Sequence, residues 1–511
     1  MVARQEASRK HSGGVTMRAF MVLLCVYSAA EAAMDKWTLW ADGTRLRGAN
    51  IYQRRVYPEL DGPEFMGPGP VGPPYTQEGF YRLAALGANY VNISHPGLFT
   101  ETPPYVPDLE VQEHLDSLLA MIAEADMFAV ISFRTGPGRA EFSVCCLGDD
   151  WFDESYLNDE VWKDSAAQDA WVDMWRYTAQ RYRDNPIVVG YDLMVEPNSN
   201  EVWLDVWDPE EFYEKYGGTL YDWNQLYPRI TAAIREVDPD TPILVGCMAY
   251  SAVEWLPYLK PTEDRRTVYV VHQYAPYVYT HQEPPLIRSY PGVFDTDWDG
   301  VDDRFDRTWL EDLLSTVDNF MATYGVPVAV NEFGVMRWEP GAAKFMDDQM
   351  DLFEQRGMNY ALWVWAPSWK PMAEEDAFNF RHGPDPDCHT DVATSELMDV
   401  ILKYWKRNMV RPSPVEEVTR DGLPGEFALG QNYPNPFNSY TAIEFSVPRK
   451  EFVVLRVFDL LGEEVATLVA GKFPPGRYRA VWNPGRSASG VYCCRLEAGH
   501  VVRTRKFVLV R

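Results

Sequence analysis

Eight short runs of apolar, β-favouring residues recur between Leu46 and Trp365, separated by longer stretches of helical period, and this alternation restricts the fold more than any other feature. The runs are Leu46–Ile51, Tyr90–Ser94, Phe128–Phe133, Ile187–Leu193, Ile243–Cys247, Val268–His272, Val326–Asn331 and Tyr360–Trp365. Most are nearly continuous in apolar residues, as strands covered on both faces are. Segments such as Val111–Ala125, Ala166–Tyr182 and Leu310–Tyr324 supply helices between them. Eight β/α units in sequence predict an α/β fold, a (β/α)8 TIM barrel with insertions. A doubly wound open sheet is the alternative, and no glycine-rich phosphate loop follows the first run to support it.

The chain is longer than the barrel needs: 511 residues suggest two or three domains, and 46% hydrophobic with 24% charged residues is the balance of a globular protein with a packed core. From Met17 a basic start, an apolar run and small residues to Ala33 read as a secretory signal, so residues 1–33 are expected to be a leader and 34–410 the barrel. The leader's run is too short to span a bilayer, and no later stretch is long enough, so no transmembrane segment is expected. Composition changes near Arg411-Pro-Ser-Pro, marking 411–424 as a linker. Beyond it, residues 425–511 alternate in short strands (Thr441–Val447, Val453–Asp459, Glu464–Val469, Tyr478–Trp482, Val491–Leu496, Thr504–Val510), which predicts a small all-β sandwich. The net charge of −28 repels nucleic-acid phosphates and anionic membranes, so no nucleic-acid partner is expected. Export would permit disulfides among the six cysteines beyond the leader, but their spacing selects no pairing.

In a barrel of this kind chemistry sits where strands end. Glu196 follows Ile187–Val195, and Glu332 closes Val326–Asn331, on the fourth and seventh strands. A carboxylate pair about 5–5.5 Å apart across one mouth is the equipment of retaining glycoside hydrolysis, one group as acid/base and the other as nucleophile. A lone glutamate at a strand end is more often a loop cap; two of them, each with a distinctive neighbour, weaken that reading.

The chain resembles the family 5 glycoside hydrolases, the cellulase family of the retaining barrel clan, over roughly residues 37–405. The matching pieces, in strand order, are Arg47-Gly-Ala-Asn50, Glu196-Pro197, His272-Gln-Tyr274 with Tyr279-Thr-His-Gln282, Glu332-Phe-Gly334 and Trp363-Val-Trp365. The resemblance implies Glu196 as acid/base, Glu332 as nucleophile, His272 and Tyr274 as the pair that orients them, and Trp363 or Trp365 as the floor beneath the reacting sugar. The two tryptophans are two apart on one strand, hence on one face, and Trp365, nearer the mouth, is the favoured floor. A general acid near neutral pH needs Glu196 raised by apolar surroundings and by the second carboxylate, while Glu332 must stay ionised. Three family supports differ: Val195 stands where an Asn normally binds the sugar 2-hydroxyl, Asn92 where the second strand carries Arg, and Arg134 where the third carries His. Asn92, His95 and Asn331 are the candidate replacements, Arg134 is counted with the sugar contacts, and Trp203, Trp207, Tyr277 and Trp369 are candidates for flanking subsites.

Asp295-Thr-Asp297-Trp-Asp299-Gly300-Val-Asp-Asp303-Arg-Phe-Asp306 fits the twelve-residue calcium loop, with Asp in the final place, and would make calcium a structural ion; the chemistry itself needs no cofactor. The tail resembles the C-terminal sorting domain of type IX secretion through Leu429-Gly-Gln-Asn-Tyr-Pro-Asn-Pro-Phe-Asn438, Val457-Phe-Asp-Leu-Leu-Gly462, Ser489-Gly-Val-Tyr492 and Lys506-Phe-Val-Leu-Val510. That resemblance implies the type IX machinery as partner and a secreted or outer-membrane-surface location in a bacterium. The resulting expectation is a monomeric retaining β-glycosidase acting within a β-linked polysaccharide, cellulase-like or a hemicellulase. Its rival is an inactive or divergent barrel serving as a cell-surface glycan-binding or adhesion protein. Exo action is a further possibility, because Phe142–Asp164 and Pro284–Arg307 are long enough to close one end of a cleft.

Overall fold

The computed structural model describes residues 35–510, apart from 146–151, 203, 368, 370–375, 409, 413–414, 418–423, 439–440, 483 and 485–486. The expected leader and Trp203 lie outside the described residues.

Eight parallel strands close into a barrel: β1 (Arg47–Tyr52), β2 (Tyr90–Pro96), β3 (Phe128–Thr135), β4 (Val188–Asp192), β5 (Ile243–Gly246), β6 (Thr267–Gln273), β7 (Val328–Phe333) and β8 (Tyr360–Leu362). Each pairs with its successor, and β8 returns to β1 with Arg47 opposite Tyr360. The connecting helices are α1 (Gln77–Ala85), α2 (Leu109–Glu124), α3 (Ser165–Tyr182), α4 (Trp223–Arg235), α5 (Arg307–Tyr324), α6 (Ala342–Gln355) and α7 (Glu396–Trp405). Between β5 and β6 a short 3-10 segment, Val253–Tyr258, takes the place of a longer helix. Side chains set the starts of the helices: Thr76, Asp108, Asp164, Asp222, Asp306 and Ser395 each accept a backbone N–H in the first turn of α1, α2, α3, α4, α5 and α7.

The strands have two apolar faces. Val91, Ile93, Ile131, Val245 and Val271 face the helices in the larger core, while Leu46, Tyr90, Phe128, Val130, Val189, Leu244, Val268, Val270, Ala329 and Ala361 fill the barrel interior near the strand starts. A single turn before β1, Thr38–Ala41, inserts Leu39 and Trp40 into that interior. The Trp40 indole N–H donates to the Val189 carbonyl at 2.9 Å. With the barrel floor stopped by hydrocarbon, polar side chains can converge only at the other end.

The C-terminal part forms two four-stranded antiparallel sheets. Its strands are β9 (Val415–Glu417), β10 (Ala428–Leu429), β11 (Thr441–Val447), β12 (Glu451–Phe458), β13 (Glu464–Phe473), β14 (Gly476–Trp482), β15 (Gly490–Ala498) and β16 (Val501–Leu509). The sheet orders are β9-β14-β11-β10 and β13-β12-β15-β16, around a core that includes Ile443, Leu455, Val457, Trp482, Leu496 and Phe507. Part of the expected linker is thus strand: Val415–Glu417 pairs with Tyr478–Ala480. Among the described residues Cys247, Cys388, Cys493 and Cys494 are free thiols, and no helix is long and apolar enough to cross a membrane.

Replacing Trp40 with Ala should lower the stability of the barrel by about 3–5 kcal/mol, since it empties a large buried site and orphans the Val189 carbonyl. Urea unfolding followed by tryptophan fluorescence checks this; an unchanged midpoint would remove Trp40 from the list of barrel supports.

Candidate active site

Strand alternation carries the charged residues to the mouth. Along β3 the inward positions run Phe128, Val130, Ser132, Arg134, and along β6 they run Val268, Val270, His272. Strand β7 departs from strict alternation: its register against β6 shifts between Val330 and Glu332. This irregularity lets consecutive residues Asn331 and Glu332 both turn inward while Phe333 packs outward on Phe353 and Tyr360.

Glu196 lies four residues beyond β4 in a left-handed backbone, φ 55°, which a residue with a Cβ adopts at a cost. A buried arginine holds it there. Arg139 donates from Nη1 to the carbonyls of Arg134 and Val195, both at 2.8 Å, and from Nη2 to the Glu196 carbonyl at 2.6 Å and Asn198 Oδ1 at 3.2 Å. Burial, with the neighbouring Arg134 charge, lowers this guanidinium to about 9 against the attraction of Glu196. Gly138, one residue earlier, has φ +68°, and a Cβ there would lie 2.7 Å from the Val161 nitrogen, so the turn that aims Arg139 needs glycine.

His272 Nδ1 is 2.9 Å from Glu196 Oε1 and 3.8 Å from Glu332 Oε1, and one oxygen of each glutamate lies within 4.8 Å of the other and of the ring nitrogen. The Tyr274 hydroxyl donates to Glu332 Oε1 at 2.9 Å. Burial opposes a charge on His272, but Glu332 and Glu196 outweigh it and raise the imidazole to about 9. Burial likewise acts to raise Glu196, and the His272 hydrogen bond and the positive charges of His272, Arg134 and Arg139 bring it below its ordinary value. Glu332 goes the other way, pushed up to about 7 by burial and by Glu196, against His272, Arg134 and Tyr274. In the resting site the order of the two carboxyls is therefore the reverse of the sequence expectation, because the histidine bonds to Glu196. The protons belong to the cluster as a whole: when the one in the 2.9 Å hydrogen bond between His272 and Glu196 passes to Glu196, that carboxyl is neutral and no longer raises Glu332. These three groups could also surround a metal ion, but a histidine that keeps its proton offers no lone pair there.

The remaining sequence candidates divide. Asn92 and Asn331 do not reach the mouth as free sugar contacts. Asn92 donates to Asn50 Oδ1 at 2.7 Å and accepts from Ser132 at 2.6 Å, while Asn331 donates to Asp192 at 2.7 Å, so both belong to a buried polar layer below the carboxylates. His95 faces the helices: its Nδ1 bonds the Pro96 carbonyl at 2.7 Å and its Nε2 meets His114 Nδ1 at 3.1 Å. Trp365 departs from its expected place, because β8 ends at Leu362 and the two tryptophans no longer share a strand face. Trp365 packs in the outer core with the Arg381 guanidinium 4.3 Å from its ring. Trp363 instead meets Tyr52 edge-on at 6.0 Å and clusters with Phe378, Tyr274 and Trp338 beside the carboxylates. Arg134 stays at the mouth, its Nε donating to Glu141 Oε1 at 2.7 Å, and Trp369 donates to the Phe65 carbonyl at 2.8 Å on the rim. In the acidic loop Asp295, Asp297 and Asp299 converge within 4.8 Å, but Asp303 accepts from Thr296 and Asp306 caps α5 and pairs with Arg304, so the twelve-residue ligand set is only half assembled. Sequence reasoning missed Arg139, Glu141, Tyr52 and Tyr250. The one available signal was Gly136-Pro-Gly-Arg139, a tight turn delivering a charge just after a barrel strand.

Residues 60–368 match the family model for cellulase, glycosyl hydrolase family 5, and residues 431–510 match that of the secretion system C-terminal sorting domain. A sorting domain of this type marks its chain for secretion or attachment at the bacterial outer-membrane surface. A β-xylosidase of Phanerodontia chrysosporium is 25% identical over 213 residues, 41% of this chain and 39% of that one. Endoglucanase C of Acetivibrio thermocellus is 22% identical over 261 residues, 43% of this chain and 69% of the relative. Among solved structures, a glycoside hydrolase superposes with TM-score 0.52 at 21% identity, covering 70% of this chain and 99% of that one. The endoglucanase Cel5A of Thermotoga maritima gives 0.51 at 18%, covering 72% and 98%. At these identities the superpositions speak for the barrel fold.

The His272 contact has a pH signature. An imidazole raised to about 9 in the folded chain, from an unperturbed 6.5, contributes stability that is fully present below about pH 6.5 and lost as the pH rises through about 9. The urea midpoint should fall over that window, and His272→Gln should flatten the fall; equal slopes for the two proteins would contradict the placement of this charge.

Proposed function

Because the chain belongs to glycosyl hydrolase family 5, a family of glycoside hydrolases, we propose that it is a retaining β-glycosidase, exported and acting as a monomer on a β-linked neutral glycan such as a glucan or a hemicellulose. The observation that carries the reading is the approach of one Glu196 and one Glu332 oxygen within 4.8 Å, with His272 facing both. This is close to the roughly 5–5.5 Å of double displacement and short of the roughly 6.5–9.5 Å that leaves room for an inverting water. The large excess of acidic residues favours neutral over acidic glycans.

Glu332 attacks the anomeric carbon while Glu196 gives its proton to the leaving oxygen; the glycosidic C–O bond breaks as the bond to Glu332 Oε forms. A water then gives a proton back to Glu196 and its oxygen to the anomeric carbon, freeing Glu332. His272 supplies the proton reservoir next to Glu196, and once that proton has passed to Glu196, Tyr274 with Arg134 stabilises the Glu332 anion. Trp363, not Trp365, is the ring for the floor of the reacting sugar. Arg134, whose charge acts on both Glu196 and Glu332, is the cation to stand in for the donor absent at Val195.

Glu196→Gln should lower kcat by about 10² to 10⁴-fold, the usual worth of a general acid, and Glu332→Gln should leave background. An activated 2-deoxy-2-fluoro β-glycoside should label Glu332, read by peptide mass spectrometry. Val195 also favours a second reading, a glycan-binding barrel without turnover, and hydrolysis lost in both variants separates the two; binding with no turnover in the parent chain overturns the enzyme.

Calcium is proposed as a structural ion in the acidic loop, held by Asp295, Asp297 and Asp299, whose hard oxygen donors suit it. Added calcium should raise Tm, and Asp297→Asn should abolish the rise; a Tm indifferent to calcium overturns the site.

A further inference from the structure

A glycan reaching the two carboxylates must place its leaving group beside Glu196 and its remaining sugars beyond the floor ring. The two sides of the mouth are built differently. Beside Glu196, a left-handed turn over Ala249, Tyr250 and Ser251 (φ 54°, 61° and 60°) brings Tyr250 against the Glu196 segment. Its N–H donates to the Pro197 carbonyl at 3.2 Å, and Asn198 Nδ2 donates to its hydroxyl at 3.4 Å. Trp207 stacks on Tyr250 with centroids 6.4 Å apart and is 52% exposed. Tyr277, backed by His281 at 3.9 Å, is 57% exposed. Open aromatic faces of this kind suit sugar rings on the leaving-group side.

Beyond the floor the space is filled. Trp363 meets Tyr52, whose hydroxyl donates to Glu141 Oε1 at 2.8 Å, and Arg134 Nε donates to the same oxygen at 2.7 Å. The Arg134 guanidinium lies 5.3 Å from the Tyr52 ring centroid, and Tyr52, Glu141, Arg134 and Trp363 are all buried. Behind them Phe142 packs on Tyr57 at 5.2 Å and on Tyr156 at 5.9 Å. The segment that carries Glu141 and Phe142 is fastened at both rims: to β1 through Tyr52, and to the Glu196 segment through the Arg139 bonds and an Asn198 Nδ2 bond to the Ser143 carbonyl at 3.0 Å. Between these anchors Gly138 N–H donates to the Glu101 carbonyl at 2.9 Å, tying it to the loop after β2.

Resting on the hydrolase reading above, we propose that the cleft is blind one sugar beyond the scissile bond: the chain removes single sugars from the non-reducing end of a β-linked glycan instead of cutting within it. Tyr52, Glu141 and Arg134 form the wall that excludes a second glycon sugar, and Trp207, Tyr250 and Tyr277 receive the remainder of the chain. One water is consumed per sugar released, and the chemistry at Glu332 and Glu196 is unchanged.

The test uses the full chain with aryl β-glucosides, β-mannosides and β-xylosides and their β-1,4-linked aryl biosides. A bioside can release its aryl group directly only if a second glycon sugar fits. The expected result is immediate aryl release from a monoside and, from the matching bioside, release only after a lag while the terminal sugar is removed. On a soluble glucan or mannan the early product should be monosaccharide alone, with little fall in viscosity. Direct aryl release from a bioside, or early oligosaccharides of mixed length, overturns the blind end and leaves the hydrolase reading standing. No turnover of any glycoside or polymer overturns both.

Discussion

One imidazole nitrogen placed between two carboxylates governs what the mouth of this barrel can do. His272 could not be carried at the end of a buried strand as a cation, nor could Glu196 and Glu332 approach each other as anions, unless each compensated for the other's burial. The surrounding structure serves that balance. Arg134 and Arg139 add positive charge on the β3 side, Tyr274 donates to Glu332, and in the layer beneath Asn50, Asn92, Ser132, Asp192 and Asn331 hydrogen-bond one another while the Asp192 carboxyl adds to the field that raises His272. Removing one member would leave the others buried and uncompensated, so the cluster is held together by the same electrostatics that makes its protons mobile.

The fold was readable because burial on both faces writes each barrel strand as an apolar run, and because the segments between the runs keep a helical period. The two glutamates were also visible, since each stands just beyond such a run, while His272 and Tyr274 entered through the family resemblance. What failed was geometry that depends on where a strand stops. Alternation puts Trp363 and Trp365 on one face only while the strand continues, and β8 ends at Leu362. His95 shows the opposite case: alternation does hold along β2, and it sends His95 to the helices because Asn92 and Ser94 take the inward places. Asn331 and Glu332 would be assigned to opposite faces by the same rule, and a register shift brings them together. The acidic loop matched a spacing pattern, yet Asp303 and Asp306 were claimed by a threonine, an arginine and a helix start, partners the pattern does not contain.

The two sides of the mouth also divide by how their residues are held. Beside Glu196 the exposed ring of Trp207 stacks on Tyr250, which sits on a strained turn, whereas on the other side an ionic and hydroxyl network ties separate loops into one surface. A wall assembled from Glu141, Arg134 and Tyr52 is stiff because each member is fixed by the other two, which is the kind of support that keeps a small site from widening with thermal motion.

The left-handed backbone at Glu196 carries a consequence for how such a chain could change over generations. Glycine or asparagine would occupy that conformation more comfortably, and every relaxation toward them would spare the fold a local penalty. A lineage under pressure only to persist in heat or in harsh surroundings would therefore drift away from glutamate here, while one that feeds on what it cuts would not. Glutamate here therefore brings the turn a penalty and the mouth a carboxylate, two effects that pull this position in opposite directions.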